Sequence, residues 1–141
     1  MQIEHKTTVQ ATPDVIFGIY EDVDNWHTWD PDTKRAYLDG PLQLGSSGKL
    51  TPTKGNTVPM KVTEVTRDRS FTVESRIPLF RMVFEHELNP TSNGTEVVHR
   101  VTLSGPLLLI LGRMLSKQID TGLPVTLRNL KQLAEARDTK A

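Results

Sequence analysis

Residues 105–135 read GPLLLILGRMLSKQIDTGLPVTLRNLKQLAE, and the spacing within this stretch decides the architecture. After Gly105-Pro106 the apolar side chains fall at Leu108, Leu111, Leu115, Ile119, Leu123, Leu127, Leu130 and Leu133, with Lys117, Asp120, Arg128, Lys131 and Glu135 between them. Steps of three and four describe one face of a long α-helix. Gly122 and Pro124 are expected to bend or loosen it near the middle.

Upstream of this helix the period changes. Residues 2–10 alternate through Ile3, His5, Thr7 and Val9 and read as a strand. Thr12-Pro13-Asp14 is a helix start, with Thr at the N-cap, Pro at the first helical position and an acid in the first turn. That helix carries Val15, Ile16, Ile19 and Tyr20. A second short helix is expected from Asp22 to Trp29, broken by Asp30-Pro31-Asp32.

From Thr33 to Leu103 the signals are all β, with strands expected over 34–40, 47–53, 57–67, 70–77, 79–89 and 94–104. Turn chemistry separates them at Gly45-Ser46-Ser47-Gly48, Lys54-Gly55-Asn56, Asp68-Arg69 and Asn89 to Gly94. A seven-stranded antiparallel sheet has one face that must be covered, and only the C-terminal helix is large enough to cover it. The expected fold class is therefore α+β, a curved sheet wrapped around one long helix. Any gap left between them would be a pocket lined by both.

Composition narrows the function classes. At 141 residues and 15.8 kDa the chain has the size of one domain, taken as residues 1–141, and can bury a core without staples. Its 36% apolar and 24% charged residues are too apolar a mix for disorder. Lys+Arg and Asp+Glu both number 17, so no net field attracts nucleic acid or an acidic membrane. The absence of cysteine excludes a disulfide scaffold, a Cys-ligated metal and a thiol nucleophile. The opening MQIEHKTTVQATPDV has no hydrophobic signal region, and the most apolar run, Leu107–Leu111, is far shorter than the roughly 20 residues of a bilayer span. A cytoplasmic protein without stable membrane insertion is expected.

Several motifs fail on inspection. Gly45-Ser46-Ser47-Gly48-Lys49-Leu50 lacks the first Gly (Gln43) and the final Ser or Thr (Leu50) of a phosphate loop. The aspartates at 22, 24, 30 and 32 lack the Gly and distal Glu of a calcium loop. There is no Gly-x-Ser-x-Gly, no dinucleotide fingerprint and no basic patch interleaved with aromatics. No cofactor or metal is expected, because no third ligand is placed beside the histidines.

The opening strand, followed by Ala11-Thr12-Pro13-Asp14-Val15-Ile16-Phe17, Asp22 to Trp26 and Trp29-Asp30-Pro31, resembles the START-like helix-grip superfamily. Within it the chain looks most like the polyketide cyclase/dehydrase and lipid-transport branch. The likeness covers nearly the whole chain and identifies a fold better than a reaction. It implies a function among cyclases and dehydratases of aromatic polyketides, carriers of quinone or lipid, and hormone-binding proteins.

The candidate chemistry centres on His86 and His99. Phe80, Met82, Phe84, His86 and Leu88 share one face of their strand, as do Val97, His99, Val101 and Leu103 of the next. A hairpin through Asn89–Gly94 would set the two imidazoles opposite each other. They read as satisfied core groups, as ligand contacts, or as a general acid and base acting on an enolizable ketone. Glu64 shares parity with Met60 and Val62, but Val65 competes for the inward position and a bulge would reverse the assignment. Trp26, His27 and Trp29 either wall the pocket or pack the short helices on the sheet.

Leu107–Leu111, apolar all round, is core packing, a lid, a homodimer contact or a membrane-touching entrance. The residues expected to line a ligand site are Trp29, Tyr37, Met60, Met82, Phe84, His86, His99, Leu115 and Ile119. The expected partner is a small hydrophobic molecule (lipid, quinone or polyketide-like). The alternatives are a cyclase or dehydratase using the histidines for proton transfer, and a protein-interaction module.

Overall fold

Alternating side chains favour strands because successive Cβ atoms point to opposite faces, so one register can bury a whole apolar set. The computed structural model describes residues 1–139, and the last two positions of the expected 1–141 domain lie outside them. Its elements are β1 (Gln2–Val9), α1 (Pro13–Glu21), a 3₁₀ helix (Val23–Thr28), β2 (Thr33–Leu38), β3 (Ser47–Pro52), β4 (Val58–Thr66), β5 (Ser70–Ile77), β6 (Phe80–Thr91), β7 (Gly94–Ser104) and α2 (Leu108–Thr139). The strands form one curled antiparallel sheet in the order β1-β7-β6-β5-β4-β3-β2. Helix α2 lies against β1 and β7 on the inner face, and the 3₁₀ helix packs on β2.

Helix α1 begins where the sequence predicts, with Thr12 extended and Pro13 in the first turn, and it buries Ile16, Phe17, Ile19 and Tyr20. The Thr12 side chain caps no backbone N–H. Its hydroxyl instead bonds the Asp14 carboxylate and holds that group below its ordinary value. The long helix runs through Gly122 and Pro124 as one continuous element. A Cβ at Gly122 would collide with the Asp32 carboxylate, so α2 passes close to the start of β2 here.

The same end of the molecule is fastened by Asp30. Its carboxylate accepts the Thr33 hydroxyl at 2.9 Å, the Asp32 N–H at 3.0 Å and the Thr126 hydroxyl at 3.2 Å. The Asn129 amide donates to the Trp29 carbonyl at 3.2 Å. Burial pushes the Asp30 carboxyl up, against the hydrogen bonds that hold it down.

The interior divides into two apolar clusters. The larger one joins α1, the 3₁₀ helix and the second half of α2 (Leu127, Leu130, Ala134) to Trp29, Met60, Val62, Phe71 and Leu88. The smaller one is built on Ile3, Phe80, Val101 and Leu103. Against it rest Met82, Phe84, Leu115, Ile119 and Leu123, all only partly buried.

Candidate functional site

Antiparallel pairing carries a chemical row across the inner face. Phe71 of β5 pairs with His86 of β6, His86 with His99 of β7, and His99 with His5 of β1. The two central imidazoles meet edge to face with ring centroids 4.7 Å apart. His86 also stacks on Phe71 at 3.9 Å, the planes within 3° of parallel. Tyr20 reaches the row from α1. Its hydroxyl lies 2.8 Å from His99 Nε2, and its ring lies 4.8 Å from Phe71 and 5.5 Å from His86. Trp29 closes the far side, 5.9 Å from Tyr20 and 6.4 Å from His99.

This surrounding removes charge. Burial pushes His86 down to about 4, opposed only by the Phe71 carbonyl. Burial and the neighbouring His86 hold His99 well below the ordinary histidine value. Burial raises the Tyr20 phenol. Both imidazoles and the phenol are therefore neutral at pH 7. His86 Nδ1 lies 3.2 Å from the Phe71 carbonyl oxygen, which only accepts, so Nδ1 carries the proton. Nε2 of the same ring is left as a hydrogen-bond acceptor.

The histidine row borders an incompletely covered apolar surface. Along the inner face of β6, Phe80 and Leu88 are buried at the two ends, while Met82, Phe84 and His86 between them are only partly so. In the same cluster, the first half of α2 presents Leu115, Ile119 and Leu123, again partly buried, whereas Leu127, Leu130 and Ala134 of its second half are buried. These partly covered apolar side chains of β6 and α2 belong to one cluster, with the His86 acceptor next along β6.

Of the residues expected to line a site, Met82, Phe84, His86, Leu115 and Ile119 are the partly covered ones on these inner faces. His99 lies directly behind His86. Trp29 and Met60 belong to the closed cluster and fill space. Tyr37 requires a correction. Ala36 takes the inward position on β2, so Tyr37 points out, 39% exposed, with the Arg35 guanidinium 5.9 Å from its ring.

Glu64 faces outward as well, because the β4–β5 register shifts between Val62 and Glu64 and Val65 takes the inner position. Its carboxylate accepts the Thr66 and Ser70 hydroxyls, each at 2.8 Å, beside a surface depression of about 280 Å³. Trp26 and Trp29 pack in the core and Trp26 Nε1 donates to the Tyr20 carbonyl, whereas His27 is exposed.

Two members of the row were not singled out by sequence reasoning. Phe71 shares inward parity with Val73, a signal available from spacing alone. Tyr20 had none, since its contact with His99 crosses 79 positions of sequence. At the outer end of the row, His5 Nε2 meets the Asp120 carboxylate of α2 at 2.7 Å. Among the described residues, no group of three or more His, Cys, Asp or Glu side chains is placed to hold a metal ion. No helix of the described residues is long and apolar enough to cross a membrane.

Comparison with known proteins follows the same lines. A family model described as polyketide cyclase / dehydrase and lipid transport matches residues 1–135. A search of curated protein sequences finds no match. Among solved structures, protein MLL2253 from Mesorhizobium loti superimposes with a TM-score of 0.79 at 16% identity, over 98% of this chain and 99% of that one. An aromatase/cyclase, ZhuI from Streptomyces sp. R1128, gives 0.77 at 19% identity, over 97% and 94%. The di-domain ARO/CYC StfQ from the steffimycin biosynthetic pathway gives 0.80 at 17% identity, over 96% of this chain and 51% of that one. The chain therefore spans about half of that di-domain protein. At these identities the likeness is one of fold.

Proposed function

The chain belongs to the polyketide cyclase/dehydrase and lipid-transport family, and we propose that it binds a small hydrophobic molecule (lipid, quinone or polyketide-like) in the cleft between β6 and the first half of α2. One observation carries this reading. Met82, Phe84, Leu115 and Ile119 point inward yet keep part of their surface uncovered. Covering an aliphatic or aromatic side chain is worth about 1.5–3 kcal/mol. A ligand body laid across these four side chains collects energy that the fold by itself leaves unused.

The imidazole at the end of the cleft refines the ligand class. Its Nε2 accepts a hydrogen bond, so a ligand bearing a hydroxyl or enol donor is favoured over its hydrocarbon analogue. The same nitrogen is the carrier of the alternative reading, a cyclase or dehydratase that moves a proton through His86. General-base catalysis is most effective when the base titrates near the working pH. An imidazole pushed down to about 4 fits an acceptor better than a base.

The test compares 1-naphthol with naphthalene by fluorescence titration, on the wild type and on His86→Phe. The expected result is that naphthol binds several-fold tighter than naphthalene and loses that preference in His86→Phe. Equal binding of the two by the wild type would sink the acceptor role. Failure of both to bind would sink the cleft as the ligand site.

A further inference from the structure

The end of the molecule where α2 begins breaks two rules that a folded monomer normally obeys. Leu109 is 92% exposed and Ile110 is 78% exposed, on the first turn of α2, and Met114 follows one turn later on the same side. Leu79, in the turn between β5 and β6, is 63% exposed. It also holds a left-handed backbone, φ 64°, where Gly or Asn is the cheap choice. A leucine that is both strained and wet contributes nothing visible to folding. The two segments are neighbours, because the Leu107 N–H donates to the Leu79 carbonyl at 3.1 Å.

Charge is distributed unevenly around this tip. The chain as a whole carries 17 cations and 17 carboxylates. Residues 74–81 and 104–117, which lead into and out of this end, hold Arg76, Arg81, Arg113 and Lys117 against the acid Glu74. Glu74 is already engaged by Arg76 and Arg81. Arg113 and Lys117 follow Leu109 at four-residue steps, so cations and apolar side chains share one exposed face of the helix.

We propose that this tip is a membrane-docking surface for an anionic lipid bilayer. Leu79, Leu109, Ile110 and Met114 enter the interface, and Arg76, Arg81, Arg113 and Lys117 lie among the head groups. Interfacial elements bind by this combination of apolar burial and attraction to anionic lipid. A second copy of the chain is the poorer occupant, since a two-fold contact through the tip sets its basic collar against itself. The neutral charge of the whole chain does not oppose docking, because screening makes the local charge the one that a surface senses. Docking also places the cleft walls Leu115 and Ile119, one to three turns along α2, close to the membrane. The proposal does not depend on the cleft taking a ligand.

Vesicle flotation tests it, using phosphatidylcholine vesicles with and without phosphatidylglycerol at low and high salt. The wild type is expected to float with the anionic vesicles and to be released by salt. Leu109→Ser/Ile110→Ser, both at exposed positions, should keep its melting temperature and lose partitioning by about tenfold or more. Arg113→Gln/Lys117→Gln should weaken binding to anionic vesicles only.

Leu79→Gly separates docking from folding. Its melting temperature should hold or rise as the backbone strain is relieved, while vesicle binding falls. No flotation of the wild type would overturn the proposal. So would Leu79→Gly that melts lower and floats unchanged, or a wild-type dimer that becomes monomeric in Leu109→Ser/Ile110→Ser.

Discussion

Folding stability measured between pH 7 and pH 5 reads out the imidazole pair at the centre of the sheet. In an unfolded chain each histidine titrates near 6.5. In the folded protein His86 is pushed down to about 4 and His99 well below its ordinary value, both mainly by burial. The folded value lies under the unfolded one, so the unfolded chain binds more protons throughout this window. Stability is therefore complete above about pH 6.5 and is lost as the pH falls toward 4. From pH 7 to pH 5, His86 alone should cost roughly 2 kcal/mol, and His99 adds a loss of the same sign.

Losses of that size are a large part of the 5–15 kcal/mol typical of a whole domain. The assay is urea unfolding at a series of pH values, followed by the fluorescence of the buried Trp26 and Trp29. His86→Phe keeps an aromatic ring against Phe71 but takes no proton, so it should remove roughly 2 kcal/mol of the pH dependence and leave the part due to His99. A wild-type stability flat from pH 7 to pH 5, or a variant with an unchanged slope, would refute the argument that both rings are held neutral.

Other substitutions address the packing and hydrogen bonds separately. Leu127→Ala, at a fully covered position of α2, should cost about 2–5 kcal/mol by urea unfolding; a loss under about 0.5 kcal/mol would mean that this face is not core. Tyr20→Phe removes the hydroxyl beside His99 Nε2 and leaves a buried nitrogen without its partner, a loss of about 1–3 kcal/mol with little change in ring packing. Phe84→Ala should cost clearly less stability than Leu127→Ala, because Phe84 is already partly uncovered, while weakening 1-naphthol binding in fluorescence titration. Equal costs would argue against an open cleft.

Much of the architecture was legible because periodicity is a backbone property. The strand expected over 57–67 is Val58–Thr66, and that expected over 79–89 is Phe80–Thr91. The pairing of His86 with His99 followed from parity and from the hairpin between them. Side-chain direction at irregular positions was harder to read. Glu64 turned outward through a register shift that spacing alone leaves ambiguous, and Tyr37 lost the inner position to Ala36.

The candidate site was legible only in part, for a physical reason. Whether an inward residue is sealed or open depends on how neighbouring elements pack over it. Met60 and Met82 look alike in sequence, yet Met60 is sealed in the larger cluster while Met82 remains at an uncovered edge. Tyr20 reached His99 through tertiary packing that no local pattern encodes.

Methyl NMR on protein labelled at Met, Leu and Ile, titrated with 1-naphthol, reads directly where a ligand sits. Saturable shifts are expected for the methyls of Met82, Leu115 and Ile119, with little change at the sealed Leu127 and Leu130. Shifts confined to Leu109, Ile110 and Met114 on the outer tip, or no saturable shift at all, would contradict a ligand cleft between β6 and the first half of α2.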